Sequence, residues 1–143
     1  MLKFLVAVDG SEPSGRAIDH LIRQVGVLKE PPEIHLLNVQ HPLPYGSRVS
    51  SVVGHDKIAQ FHREEGMVAL KTAMRKLDAA GIKYHHHIGV GVEAEIICQY
   101  AKEKGCDQII MGTRGLGSVS NLVLGSVATK VIHLSPVPVL LVK

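Results

Sequence analysis

Cysteine is scarce in this chain. Cys98 and Cys106 are the only two in 143 residues, and they form neither a CxxC pair nor a disulfide-dense pattern. This excludes a disulfide-stapled secreted domain and reads as two reduced, small buried thiols in a cytosolic protein. No apolar run approaches bilayer-spanning length, and the segment from Met1 lacks the long apolar stretch and small-residue cleavage site of a secretory signal. A cytoplasmic protein that does not engage membranes is expected. Internal repeats and low-complexity tracts are also missing, and 143 residues suit a single domain over 1–143.

Acidic charge runs out toward the C-terminus. No Asp or Glu follows Asp107, while Arg114, Lys130 and Lys143 remain, so that end tolerates a bound anion. Over the whole chain the formal net charge is +3, with basic residues interspersed among acidic ones, and nucleic acid is not implied. A hydrophobic content of 45% against 20% charged residues excludes disorder and predicts a real core.

What is present is an alternation of short apolar runs and helical patterns, the mark of an α/β protein whose parallel sheet carries helices on both faces. Strands are expected over Lys3 to Val8, Ile34 to Val39, Tyr84 to Val90, Gln108 to Met111 and Val139 to Val142. The first helix follows Asp9-Gly10-Ser11-Glu12-Pro13, where Ser11 suits a cap and Pro13 a first turn, and its apolar stripe is Ala17, Ile18, Leu21, Ile22 and Val25. The second is expected from Asp56 to Ala80, stopped by Gly81. The third runs from Glu93 to Lys104, with Ile96, Ile97 and Tyr100 inward and Gly105 as its stop. The last is expected from about Ser118 to Ser120 up to the residue before Ser135-Pro136. Between strand two and helix two, Pro42 to Gly54 reads as a long loop rich in turn formers.

The most informative segment is Met111-Gly112-Thr113-Arg114-Gly115-Leu116-Gly117-Ser118, after a strand and before a helix. Its three glycines remove Cβ atoms that would block a phosphate, and N–H groups at a helix N-terminus stabilise negative charge. Arg114 or Lys130 adds direct charge. The Walker pattern GxxxxGK[ST] is absent. Gly115-x-Gly117-x-x-Ser120 misses the last glycine of the dinucleotide fingerprint, and no acidic ribose ligand lies downstream.

Gly112-x-x-Gly115, nine residues, then Gly125-Ser126 resembles the ATP-binding branch of the universal stress protein family. So do the opening Leu5-Val6-Ala7-Val8-Asp9-Gly10-Ser11, the strand ending Leu37-Asn38-Val39 and the closing Pro138-Val139-Leu140-Leu141-Val142. The resemblance implies an open, twisted, five-stranded parallel sheet of order 3-2-1-4-5, Rossmann-like and similar to adenine nucleotide alpha hydrolases. Strands one and four then adjoin at a switch point, with a crevice at their carboxyl ends. By the same resemblance, Ala7, Val8 and Asp9 line an adenosine pocket, the main chain of Val39 reads the adenine edge, and Met111 packs against base or sugar. Gly112, Gly115, Gly117, Gly125 and Ser126 surround phosphates, with the Ser126 hydroxyl and Val127 N–H donating. Asp9 contacts ribose or a phosphate-bound Mg²⁺. The implied ligand is ATP, with AMP, ADP and a cyclic nucleotide open.

Plainer readings compete at several of these positions. Asp9 could cap the first helix. His85, His86 and His87 invite a metal, yet adjacent strand residues point to opposite faces, so only His85 and His87 share one, and a polar strand surface is the simpler reading. Met67 and Met74 read as core filler. Asp9, Ser11 and Ser126 have no identifiable activating partner, so no catalytic residue is assigned. Three functions remain: an ATP-binding stress-response regulatory module, a slow ATP hydrolase or phosphotransferase using Asp9 and Mg²⁺, and a nucleotide-independent dimer. A homodimer through the edge strand Val139, Leu140, Leu141 and Val142 fits the first and third.

Overall fold

The computed structural model describes residues 1–43, 48–116 and 123–143, the backbone alone over 48–53. Five parallel strands, β1 (Lys3–Ala7), β2 (Glu33–Gln40), β3 (His85–Val90), β4 (Gln108–Gly112) and β5 (Val139–Val142), form one sheet in the order β3-β2-β1-β4-β5. The expected order is the observed one. Central β1 is fixed by its registers, with Val6 opposite Leu36 on one side and Ile110 on the other.

Alternation along the strands builds two cores. Phe4, Val6, Val8, Ile34, Leu36 and Ile110 point to the face covered by α1 (Glu12–Val25) and α2 (Arg48–Ala79). Leu5, Leu37, Ile109 and Met111 point to the face covered by α3 (Glu93–Glu103) and α4 (Ser126–Leu134). A strand buried on both faces must be apolar at nearly every position, which is why β1 and β4 read as unbroken apolar runs. Each such side chain contributes about 1.5–3 kcal/mol on burial.

Helix α1 starts as the sequence dictates, with Ser11 at the cap accepting from the Ser14 N–H at 3.3 Å and Pro13 in the first turn. Ala17, Ile18 and Leu21 are buried, while Ile22 and Val25 pack at the margin of the same core. On α3 the fully inward set is Ala94, Ile97, Cys98 and Ala101, and Ile96 and Tyr100 are half-buried beside it. Among the described residues, no helix is long and apolar enough to cross a membrane.

Two helix starts differ from expectation. Helical backbone begins at Arg48, before the expected Asp56, and is broken at Gly54, where φ 70° and ψ 168° are affordable only without a Cβ. The stretch 48–53 contains neither Pro nor Gly, so it winds into helix although its flanks are turn-forming, and the loop expected from Pro42 to Gly54 is shorter. Residues 44–47 of that loop lie outside the described ones. The last helix begins at Ser126 instead of Ser118 to Ser120; Val123 to Gly125 are non-helical, and 117–122 lie outside the described residues.

Candidate functional site

Chain connections leave β1 and β4 toward opposite faces, since α1 packs on one core and α4 on the other. Their carboxyl ends therefore diverge, and a cavity of about 800 Å³ opens there. Ala7, Val8 and Asp9 enter it from the end of β1, Val39 from β2, and Met111 and Gly112 from β4. Arg114 and Gly115 come from the following loop, and Gly125, Ser126 and Val127 from the start of α4. Of the residues expected to line the site, Gly117 lies outside the described ones, and Lys130, offered with Arg114 as a charge for the phosphates, is exposed on α4 and does not line the cavity.

One end of the cavity is built for an anion. Gly125 is the cap residue of α4 and carries no side chain to bond the first-turn amides; the first intrahelical bond runs from Thr129 N to Gly125 O at 3.0 Å. The N–H groups of Ser126 and Val127 thus remain for a ligand, at the positive end of the helix dipole and with no acidic residue in the first turn. Gly125 is held close to the β4 loop: its N–H donates to Thr113 O at 2.6 Å, and an added Cβ would lie 3.3 Å from that oxygen and 3.4 Å from Arg114 Cα.

The remaining glycines of the motif do different work. A Cβ on Gly115 would overlap Asp9 Oδ2. At Gly112 the obstruction is the protein itself, with Pro13 Cβ at 2.7 Å and the Pro13 carbonyl carbon at 2.9 Å. Gly112 therefore lets β4 close against the first turn of α1, while Gly115 lets the loop approach Asp9. Asp9 does not cap α1, a role taken by Ser11. Its Oδ1 accepts from the Ser11 N–H at 2.9 Å and its Oδ2 from the Leu116 N–H at 3.1 Å, so one carboxylate ties the β1 loop to the β4 loop.

At the other end lies Val39, half-buried and next to last in β2. Several wall residues were not anticipated: Asn38, Gln40 and His41 from β2 and beyond, Glu65, Val68 and Ala69 from α2, Glu93 from α3, and Thr113. Asn38 is 3% exposed and bonds Val8 O through its side chain. Its polarity between the apolar pair Leu36-Leu37 and Val39 was the signal available in the sequence. His41 Nε2 lies 2.7 Å from Glu93 Oε1, joining the end of β2 to the start of α3 at the mouth.

The histidine run lies at the opposite end of the sheet. His85 and His87 do share a face, as strand geometry requires, and buried His35 from β2 sits between them, stacked on each with ring centroids 5.0 and 5.1 Å apart. His35 Nδ1 and His87 Nε2 are 2.9 Å apart, a bond that needs one imidazole to donate and the other to accept. Burial pushes both His35 and His87 below the usual histidine range, against the pull of Glu33 on His35, which favours the neutral pair. Among the described residues no group of three His, Cys, Asp or Glu side chains is arranged to hold a metal ion. Cys98 and Cys106 are both buried, and burial pushes each thiol pKa up, which disfavours the thiolate.

A sequence profile of the universal stress protein family matches residues 1–143. Universal stress protein YxiE of Bacillus subtilis is 33% identical, over 99% of this chain and 98% of its own length. Among solved structures, Methanocaldococcus jannaschii MJ0577 superposes with a TM-score of 0.79 at 29% identity, covering 99% of this chain and 94% of that one. An Arabidopsis thaliana family protein solved with AMP bound superposes at 0.68 with 24% identity, covering 100% and 92%, a likeness of fold.

Proposed function

Because this chain belongs to the universal stress protein family, we propose that it binds ATP in the cavity at the ends of β1 and β4 and serves as a cytoplasmic stress-response regulatory module. The observation that carries this reading is the convergence of the uncapped α4 N-terminus, the Gly115–Asp9 contact and the Val39 peptide on one cavity of about 800 Å³. That volume lies within the range of ligand pockets and suits a nucleotide. Universal stress proteins of the same fold have been solved with cAMP, AMP and dAMP. Triphosphate oxygens would take the Ser126 and Val127 amides and the Ser126 hydroxyl, with Arg114 alongside. Mg²⁺ would ride mainly on phosphate and water oxygens, because the Asp9 carboxylate already holds two backbone N–H groups.

Holding nucleotide, as opposed to turning it over, follows from the side chains. Among the described residues, neither Asp9 nor Ser126 has a base beside it to activate a hydroxyl or a water. Calorimetric titration of nucleotide-stripped protein with Mg-ATP should give saturable binding, with adenosine alone binding at least about tenfold more weakly because it forgoes the helix N-terminus. No heat of binding for ATP would overturn the reading.

We also infer a homodimer through β5. The strand lies at the sheet edge, its four residues are only half-buried, and Ile132 and Leu134 of α4 are exposed beside it. An apolar edge of this kind is completed by a second copy. Sedimentation should show a dimer that Leu141→Asp converts to monomer, and a wild-type monomer at high concentration would refute it.

A further inference from the structure

The β1–β2 ladder stops one rung early. The Val8 N–H donates to Leu37 O at 2.8 Å, and the register that places Ala7 opposite Leu37 puts the next rung between the Val39 N–H and Val8 O. That rung is not made among the described residues. The Val8 carbonyl accepts instead from the Asn38 side-chain amide, with Nδ2 2.8 Å from the oxygen. The amide has one possible orientation, since a carbonyl only accepts; Asn38 Oδ1 is left to accept from Gln40 Nε2 at 2.6 Å.

The consequence falls on Val39. Successive peptide groups alternate sides along a strand: Leu37 O serves β1, and the Gln40 carbonyl accepts from Gly91 N at 3.0 Å on the β3 side. Val39 therefore turns its N–H and C=O toward β1, where β1 has ended and the one carbonyl in reach is occupied. A donor and an acceptor side by side are presented to the cavity. Adenine carries the complementary pair on its Watson–Crick edge, N1 accepting beside an N6 amino donor. Guanine carries the reverse, an N1–H donor beside the O6 acceptor, and would set donor against donor and acceptor against acceptor.

We propose that Asn38 is a positioning residue for base selection: by taking the Val8 carbonyl, it keeps the Val39 peptide edge open and makes the site select adenine over guanine. The proposal rests on the adenine-nucleotide reading above and adds to it the residue that sets the selectivity. Gln40 supports Asn38 from outside and shares the role in lesser degree.

The test compares wild type, Asn38→Leu and Gln40→Leu with three probes: ATP, GTP and inorganic tripolyphosphate. It also follows hydrogen exchange of the Val39 amide by NMR in the nucleotide-free protein. Wild type is expected to prefer ATP over GTP by roughly a hundredfold, the effect of two mismatched hydrogen-bonding groups. In Asn38→Leu the ladder closes: exchange of the Val39 amide slows at least about tenfold and the preference falls to about tenfold or less, with tripolyphosphate binding unchanged. Gln40→Leu should move both readouts the same way by less. An unchanged preference and unchanged Val39 exchange in folded Asn38→Leu overturn the proposal; should that variant fail to fold, the same null in Gln40→Leu does so. If wild type binds no nucleotide, the functional reading fails by itself, and unchanged Val39 exchange in the variants then removes the positioning role too.

Discussion

Gly115→Val is expected to lower ATP affinity by about a hundredfold or more, close to 2.7 kcal/mol, in a protein that stays folded. Its Cβ would occupy the place of Asp9 Oδ2. The carboxylate is the end of a movable side chain, so it can swing away, at the cost of its bonds from the Ser11 and Leu116 N–H groups. Two charge-assisted bonds lost from a partly exposed site cost about 1–3 kcal/mol and release the β4 loop from β1. The added methyls then stand in the phosphate end of the cavity. Gly115→Ala should show the first effect with little of the second. In an Asp9→Ala background the same Gly115→Ala change should become nearly neutral for stability, because the atom it displaced is gone. Titration with Mg-ATP beside thermal denaturation reads both quantities; wild-type affinity in Gly115→Val would remove the loop from the binding site.

Gly112→Val, three residues away in the same motif, should fail differently. Its Cβ would stand 2.7 Å from Pro13 Cβ, 2.9 Å from the Pro13 carbonyl carbon and 3.1 Å from Arg114 O. None of these can step aside. Pro13 is buried in the first turn of α1, and β4 is locked between β1 and β5, with the Thr113 N–H bonded to Val142 O at 2.8 Å. Overpacking against backbone costs about 3 kcal/mol or more, which for a chain of this size lowers the melting temperature on the order of 10 °C. Calorimetric melting of the nucleotide-free variant measures it. A melting temperature within about 2 °C of wild type would mean that α1 and β4 separate more readily than their packing indicates.

The contrast between these glycines shows where sequence reasoning stops. Spacing marked Gly112, Gly115 and Gly125 as a set, but what each Cβ would strike depends on Pro13, Asp9 and Thr113, which the chain brings near only through the fold. Strand identities were legible because β1 and β4 are apolar at almost every position and Ser11 and Pro13 announce α1, whereas the strand order followed from the family resemblance and not from those residues. The start of α4 was misplaced because serines at 118 and 120 look like caps, whereas the cap is Gly125, with a backbone that needs no side-chain oxygen. Asn38 was visible as a polar residue in a buried strand, yet its hydrogen bond to Val8 O is a property of the β1–β2 register. The same holds for His35, whose place between His85 and His87 follows from the pairing of β2 with β3.

The position of β1 also has a bearing on synthesis. The strand at the centre of the sheet leaves the ribosome before the other four described strands, and its partner across the Val6–Ile110 register follows about a hundred residues later. At about 5–20 residues per second that is a delay of roughly 5 to 20 s. During that time β2 can cover one edge of Phe4, Leu5 and Val6, while the other edge stays unpaired and apolar. The wait for β4, more than the stability of the finished sheet, then governs how much nascent chain is exposed to wrong partners.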